Sequence, residues 1–119
     1  MVQRPPDKMH ALKWEFPGGK IERAESAGEA LGRELLEELD VKVKSQSVLP
    51  FKQLTHEYPT RTVNLQFFHV GDWEGAVRPL EAPEIVWLLP GGELPPWMDV
   101  LEADVEVVQQ LMDMQSPYD

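Results

Sequence analysis

The chain has no cysteine, no long apolar run and little positive charge: 11 lysines and arginines stand against 21 aspartates and glutamates. Without cysteine, disulfides and thiolate metal sites are excluded. No apolar stretch approaches the length needed to cross a bilayer. The opening residues, MVQRPPDK, lack the apolar segment of a signal peptide. The cytoplasm is therefore the expected compartment. A net charge of −10 argues against duplex nucleic acid as a partner, because phosphate backbones select basic surfaces. It leaves room for a small phosphorylated ligand, provided metal ions screen the repulsion. Internal repeats and low-complexity tracts are also lacking.

What is present suits one globular domain over residues 1–119, with 42% hydrophobic and 27% charged residues. Val2-Gln3-Arg4 reads as the tail of a strand cut short by Pro5-Pro6. Leu12 to Phe16 is a short extended run, stopped by Pro17-Gly18-Gly19. Ser26 and Glu29 form a capping box, and the helix behind it runs to about Leu39. Ala27, Leu31, Leu35 and Leu39 supply its expected buried stripe. Lys42 to Tyr58 is strand material with an interruption near Pro50. Thr62 to Val70 alternates, with Val63, Leu65 and Phe67 on one face. Asp72 to Pro83 reads as a loop, Ile85 to Leu89 as a short strand and Leu94 to Val100 as irregular. A last helix is expected over about Asp104 to Met114. This mixture implies an α/β sandwich around a mixed sheet.

The segment from Trp14 to Val41 carries the chemistry. Glu34, Glu37 and Glu38 fall at i, i+3 and i+4 of the first helix and cover roughly a 100° arc of its surface. At neutral pH such a cluster repels itself, and a hard divalent cation with oxygen ligands relieves that repulsion. Gly18 and Gly19 let backbone approach the ion with no side chain in the way.

Read by spacing, the segment is Gly19, five residues, Glu25, seven residues, Arg33-Glu34-Leu35, one residue, Glu37-Glu38-Leu39, then Asp40-Val41. This resembles the Nudix box, the signature of the Nudix hydrolases. At roughly 5–7% usage per residue type, chance agreement at six positions is on the order of 10⁻⁷ per start position. The preceding Trp14-Glu15-Phe16-Pro17-Gly18-Gly19-Lys20-Ile21-Glu22 looks like the MutT-type branch, which includes the 8-oxo-dGTP diphosphatases. Tyr58-Pro59, Arg61, Trp73-Glu74-Gly75, Glu81, Trp87 and Leu101 to Asp104 extend the likeness from Val2 to Leu111.

The resemblance implies a Nudix α/β/α sandwich with a central mixed β-sheet, lacking the first strand. It implies a hydrolase that converts a nucleoside triphosphate to a monophosphate and pyrophosphate, with 8-oxo-dGTP or a related (d)NTP as substrate. Mg²⁺ (or Mn²⁺) would be held by Glu34, Glu37, Glu38 and the Gly18 carbonyl. Glu81 would be a distant carboxylate, acting as a further ligand or as general base, and which glutamate is the base stays open. Glu25 and Arg33 would orient helix and loop. Lys20, Arg4 and Arg61 are candidate phosphate or base contacts, and Asp104 would accept hydrogen bonds from the base, or serve only as a helix N-cap. Phe16 and Ile21 would add apolar walls. His10, His56 and His69 lack metal-ligand spacing. Trp14, Trp73, Trp87 and Trp97 are expected to pack in preference to stacking on a base.

Two departures qualify the match. Asp40 stands where the box has glycine, at a helix end that favours left-handed backbone. The expectation is a stability cost of roughly 1–2 kcal/mol with activity intact. The chain also begins late against the MutT pattern. A misassigned start, a shortened chain, or a second copy supplying the strand would each account for this. The expected state is a monomer or a homodimer, the latter strand-swapped on the third account. Other readings of the function are a CTP- or modified-pyrimidine-preferring pyrophosphohydrolase, a catalytically weak nucleotide-binding or interaction module, and an acidic interaction domain that kept only the fold.

Overall fold

The computed structural model describes residues 1–114; the remainder of the expected 1–119 domain, residues 115–119, lies outside the described residues. The elements in chain order are β1 (Val2–Gln3), β2 (Trp14–Glu15), α1 (Ala27–Leu39), β3 (Lys42–Val43), β4 (Val48–Tyr58), β5 (Arg61–Val70), β6 (Trp73–Glu74) and α2 (Val105–Met112). Short 3₁₀ turns at Ser45–Ser47 and Glu102–Asp104 precede β4 and α2. The fold is mixed α/β with two helices, as expected. The chain divides into two compact units, residues 1–17 with 81–119, and residues 18–80.

The first unit holds the mixed-sheet character. β1 and β2 pair antiparallel, Val2 opposite Glu15. Val2 also bridges Ile85 antiparallel, and Trp14 bridges Val100 in parallel. The parallel register shows in its bonds: Trp14 N–H donates to the Asp99 carbonyl and Leu101 N–H to the Trp14 carbonyl, both at 2.8 Å. Val2, Trp14, Met98, Leu101, Ala103, Val107 and Val108 are buried here. α2 is shorter than expected at both ends.

Three expectations fail in this unit. Leu12 is not extended; its φ of 63° is left-handed. Ile85 to Leu89 is no strand and makes only the single bridge at Ile85. It lies between Pro83 and Pro90, which lack the N–H a ladder needs. Trp87 is 72% exposed and does not pack as expected, whereas Trp97, 61% exposed, meets the buried Trp14 edge to face at 5.6 Å.

The second unit is built on α1. Its start is the capping box read from the sequence: Glu29 N–H donates to Ser26 Oγ at 3.1 Å, and Ser26 N–H to Glu29 Oε1 at 3.0 Å. Ala30, Leu35 and Leu39 are its buried residues. Ala27 and Leu31 are only half-buried, so the stripe follows the 3.6-residue period more closely than a strict four-residue repeat does. The helix ends at Asp40, whose φ of 58° and ψ of 36° are left-handed, as the motif requires.

β4 and β5 form a long antiparallel hairpin turning at Pro59–Thr60, with a bulge between Pro50 and Lys52. Proline lacks an N–H, so the ladder breaks there. Leu54, Val63, Leu65 and Phe67 share the better-covered face, yet no residue of the hairpin is fully buried. The expected loop after Asp72 contains β6, which pairs with β3 so that Val43 lies opposite Trp73.

Candidate active site

In the second unit, the loop at Gly18-Gly19 is docked on α1. Gly18 N–H donates to Glu38 Oε2 at 2.9 Å. Its φ of +148° is backbone that favours glycine. A Cβ on Gly19 would meet the Glu34 carboxylate at 2.5–2.8 Å. Both glycines of the motif are thus used: one turns the chain, the other makes room for a carboxylate.

Arg33 organises the rest. Its Nε and Nη2 grip Glu25 in a two-point pair at 2.8 and 2.9 Å. Its Nη1 donates to Glu34 Oε1 at 2.8 Å, and its Nη2 also reaches the Lys20 carbonyl at 3.0 Å. Glu37 lies within ion-pair range at 3.6 Å. The Arg33 hydrogen bonds, helped by the Glu22 N–H, hold the Glu25 carboxyl down at about 2. The same contacts push the guanidinium pKa higher still. Arg33 and Glu25 therefore tie loop to helix, while Glu34 is the sheltered carboxylate and Glu37 the open one, with side chains 17% and 51% exposed.

Among the described residues no group of three or more His, Asp or Glu stands assembled around an ion position. The carboxylates are held instead by donors of this chain, Glu34 by Arg33 and Glu38 by Gly18. The carboxylates are oxygen donors of the kind a hard divalent cation takes, with water and phosphate available to complete its shell. The all-oxygen donor set and the close approach at Gly19 suit such an ion.

In the first unit, Asp104 is 6% exposed. Its Oδ2 accepts the Phe16 N–H at 3.0 Å, and it makes no N-cap bond to α2. Burial raises its pKa to about 6, with Glu15 adding to the rise and the Phe16 N–H and Arg4 opposing it. Arg4 is committed within its own unit: Nη1 pairs with Glu15 at 2.9 Å and Nε donates to the Met9 carbonyl at 2.7 Å. Phe16 is half-buried.

The remaining expected site residues are dispersed. Glu81 is exposed and belongs to the first unit. Lys20 and Ile21 are exposed in the second. Arg61 begins β5, its guanidinium 5.7 Å from the centre of the Tyr58 ring. Two partners escaped the sequence reading. Glu15, which occupies Arg4, is marked only by opposite charge. Arg78, which pairs with Asp40 at 2.5 Å, lies 38 residues away with no motif between them.

The NUDIX domain family model matches residues 1–113. The chain belongs to the Nudix family. It is 32% identical over 116 residues to the CTP pyrophosphohydrolase of Escherichia coli (strain K12), covering 98% of this chain and 83% of that one. It is 41% identical over 75 residues to the 8-oxo-dGTP diphosphatase of the same organism, covering 63% of this chain and 57% of the relative. A solved structure of MutT, from a study of Aliivibrio salmonicida and Vibrio cholerae, superposes with a TM-score of 0.69 at 29% identity, covering 93% of this chain and 82% of that one. The MutT-type likeness read from the box extends to the whole fold, and the protein is a Nudix hydrolase. Nudix hydrolases use divalent cations, in keeping with the oxygen donors on α1. Among the described residues no helix is long and apolar enough to cross a membrane.

Proposed function

We propose that this Nudix hydrolase adds water to a nucleoside triphosphate and releases a nucleoside monophosphate and pyrophosphate, acting on 8-oxo-dGTP or a related (d)NTP. The role is removal of damaged nucleotides from the cytoplasmic pool. The observation that carries this reading is the docking of Gly18 and Gly19 on the carboxylates of α1. It brings backbone and acid side chains together where a phosphate-bound cation needs oxygen ligands.

Glu34, Glu37, Glu38 and the Gly18 carbonyl hold Mg²⁺, for which Mn²⁺ can substitute. When bound, the ion polarises the phosphoryl group and offsets charge on the leaving pyrophosphate. The chain's own part is to aim these groups. Arg33 keeps Glu34 pointed towards Gly19, and the Gly18 N–H fixes one oxygen of Glu38. Glu81 serves as a further carboxylate, a ligand or the general base. Lys20 and Arg61 meet phosphate or base. Asp104 and Phe16 recognise the base, and Arg4, occupied by Glu15, steadies that wall.

A second reading, preference for CTP or a modified pyrimidine nucleotide, is favoured by the relative named CTP pyrophosphohydrolase, which matches 98% of the chain. A monomer or homodimer serves either reading.

Pyrophosphate release, measured with Mg²⁺ across unmodified, oxidised and methylated (d)NTPs, tests both. Glu38→Gln keeps an acceptor for Gly18 and loses the charge, and it should lower turnover by at least about a hundredfold with the circular dichroism unchanged. A folded, metal-supplied sample that releases pyrophosphate from no nucleotide would sink the hydrolytic reading and leave a nucleotide-binding module.

A further inference from the structure

The glycine expected at position 40 would satisfy the left-handed backbone there without cost. The aspartate is therefore not needed to end the helix, and its side chain does something else. Its Oδ2 pairs with Arg78 Nη2 at 2.5 Å. Arg78 lies on the stretch between β6 and Glu81. That stretch closes on the end of α1 through its backbone: Arg78 N–H donates to the Leu39 carbonyl at 3.0 Å, and Leu80 N–H to the Glu38 carbonyl at 2.9 Å. Both bonds satisfy carbonyls that the last turn of a helix leaves without partners. The approach is close, since a Cβ on Gly75 would meet the Asp40 carbonyl oxygen at 2.9 Å. The residue after Leu80 is Glu81.

We propose that Asp40 and Arg78 are a positioning pair. Their ion pair locks residues 75–80 onto the end of α1 and fixes the turn that presents Glu38. This rests on the hydrolase reading given above. Asp40 is outside the ligand and substrate contacts proposed above; it acts through Arg78 on the placement of Leu39, Leu80 and Glu38. The side chains of Arg78 and Asp40 are 64% and 42% exposed, so the pair adds little to global stability. Its loss is felt instead as misplacement of acid groups, to which the rate of a positioned reaction is steeply sensitive.

The experiment compares the wild-type chain with Asp40→Gly, Asp40→Asn, Arg78→Met and Arg78→Lys, following kcat, KM and Tm on the best nucleotide of the release screen. Asp40→Gly relieves backbone strain, so its Tm should hold or rise while kcat falls roughly three- to tenfold and KM changes by less than about twofold. Asp40→Asn and Arg78→Met should show the same fall in kcat, and Arg78→Lys should retain most of the rate. Raising NaCl from about 0.05 to 0.5 M should lower the wild-type kcat towards the Asp40→Gly value and leave that variant's kcat unmoved. A wild-type kcat in Asp40→Gly, or a loss of rate that only follows a loss of folded protein, overturns the pair's role while the hydrolase reading stands. Failure of the wild-type chain to turn over any nucleotide overturns the hydrolase reading and the pair's role together.

Discussion

Glu38 and Gly18 are joined by a hydrogen bond of 2.9 Å from a backbone N–H to a carboxylate oxygen, across 20 residues of sequence. A carboxylate has about four lone-pair sites. The bond takes up one of them and removes the freedom of Glu38 to swing. Helix and loop are held together by the group that the proposed chemistry uses.

Gly19 is the sharpest place to test that arrangement. In Gly19→Ala the added methyl would meet the Glu34 carboxylate at 2.5–2.8 Å. The side chain is flexible at its end, so it should move aside and the fold should survive with a loss of about 1 kcal/mol or less. Turnover should fall by roughly tenfold or more, because Glu34 leaves its position. Urea unfolding and pyrophosphate release on the same sample separate the two effects. Full activity in Gly19→Ala would show that the placement of Glu34 is immaterial.

The pair of Arg33 with Glu25 carries an acid signature. The folded pKa of Glu25 lies at about 2 against an ordinary 4.5. A lowered carboxylate contributes stability that is present above its unfolded pKa and is lost as pH falls through the folded one. Wild-type Tm should therefore drop between pH about 4.5 and 2 in part through Glu25, and Arg33→Met, less stable at neutral pH, should show a shallower drop. Thermal melts across that range decide it; parallel curves for the two proteins would refute the assignment.

Asp104 has the opposite sign. Its folded pKa is raised to about 6 from 3.8, chiefly by burial. The protonated carboxyl is the form that suits the folded state. Its contribution is complete below pH about 4 and is lost as pH rises through about 6, a change on the order of 3 kcal/mol. Asp104→Asn keeps an acceptor for the Phe16 N–H and carries no charge. Its stability should exceed wild type at pH 7–8 and approach it near pH 4. Equal stability at pH 8 would show that the ionised carboxylate is solvated or paired.

The parts legible in the sequence are those governed by local rules. Ser26 and Glu29 announced the helix start because a capping box needs only four consecutive residues. Asp40 was read as left-handed because a helix end imposes that backbone on whatever residue stands there. Pro50 marked the break in β4 because it cannot donate to a ladder. The failures are tertiary. Whether Ile85 to Leu89 forms a strand depends on a neighbour to pair with, and here the pairing is confined to Val2 opposite Ile85 and Met1 bonded to Val86. The partner of Arg4 is another such case: nothing in the sequence marks Glu15, which β2 brings to it. For Glu34 and Glu38 the sequence gives the spacing on the helix and not the side-chain direction, which Arg33 and the Gly18 N–H set.

The pairing of Asp40 with Arg78 also bears on how such a sequence can be reached by single substitutions. With glycine at 40, residue 78 is free to vary. Once aspartate is there, arginine at 78 is the partner through which it acts, and losing that partner leaves the strained backbone with nothing gained in its place. The two positions are thus epistatic. Arginine at 78 can arrive first without harm, whereas aspartate at 40 arriving first takes on the left-handed angle with no partner to act through, so the order of the two changes is itself constrained by the angle at one residue.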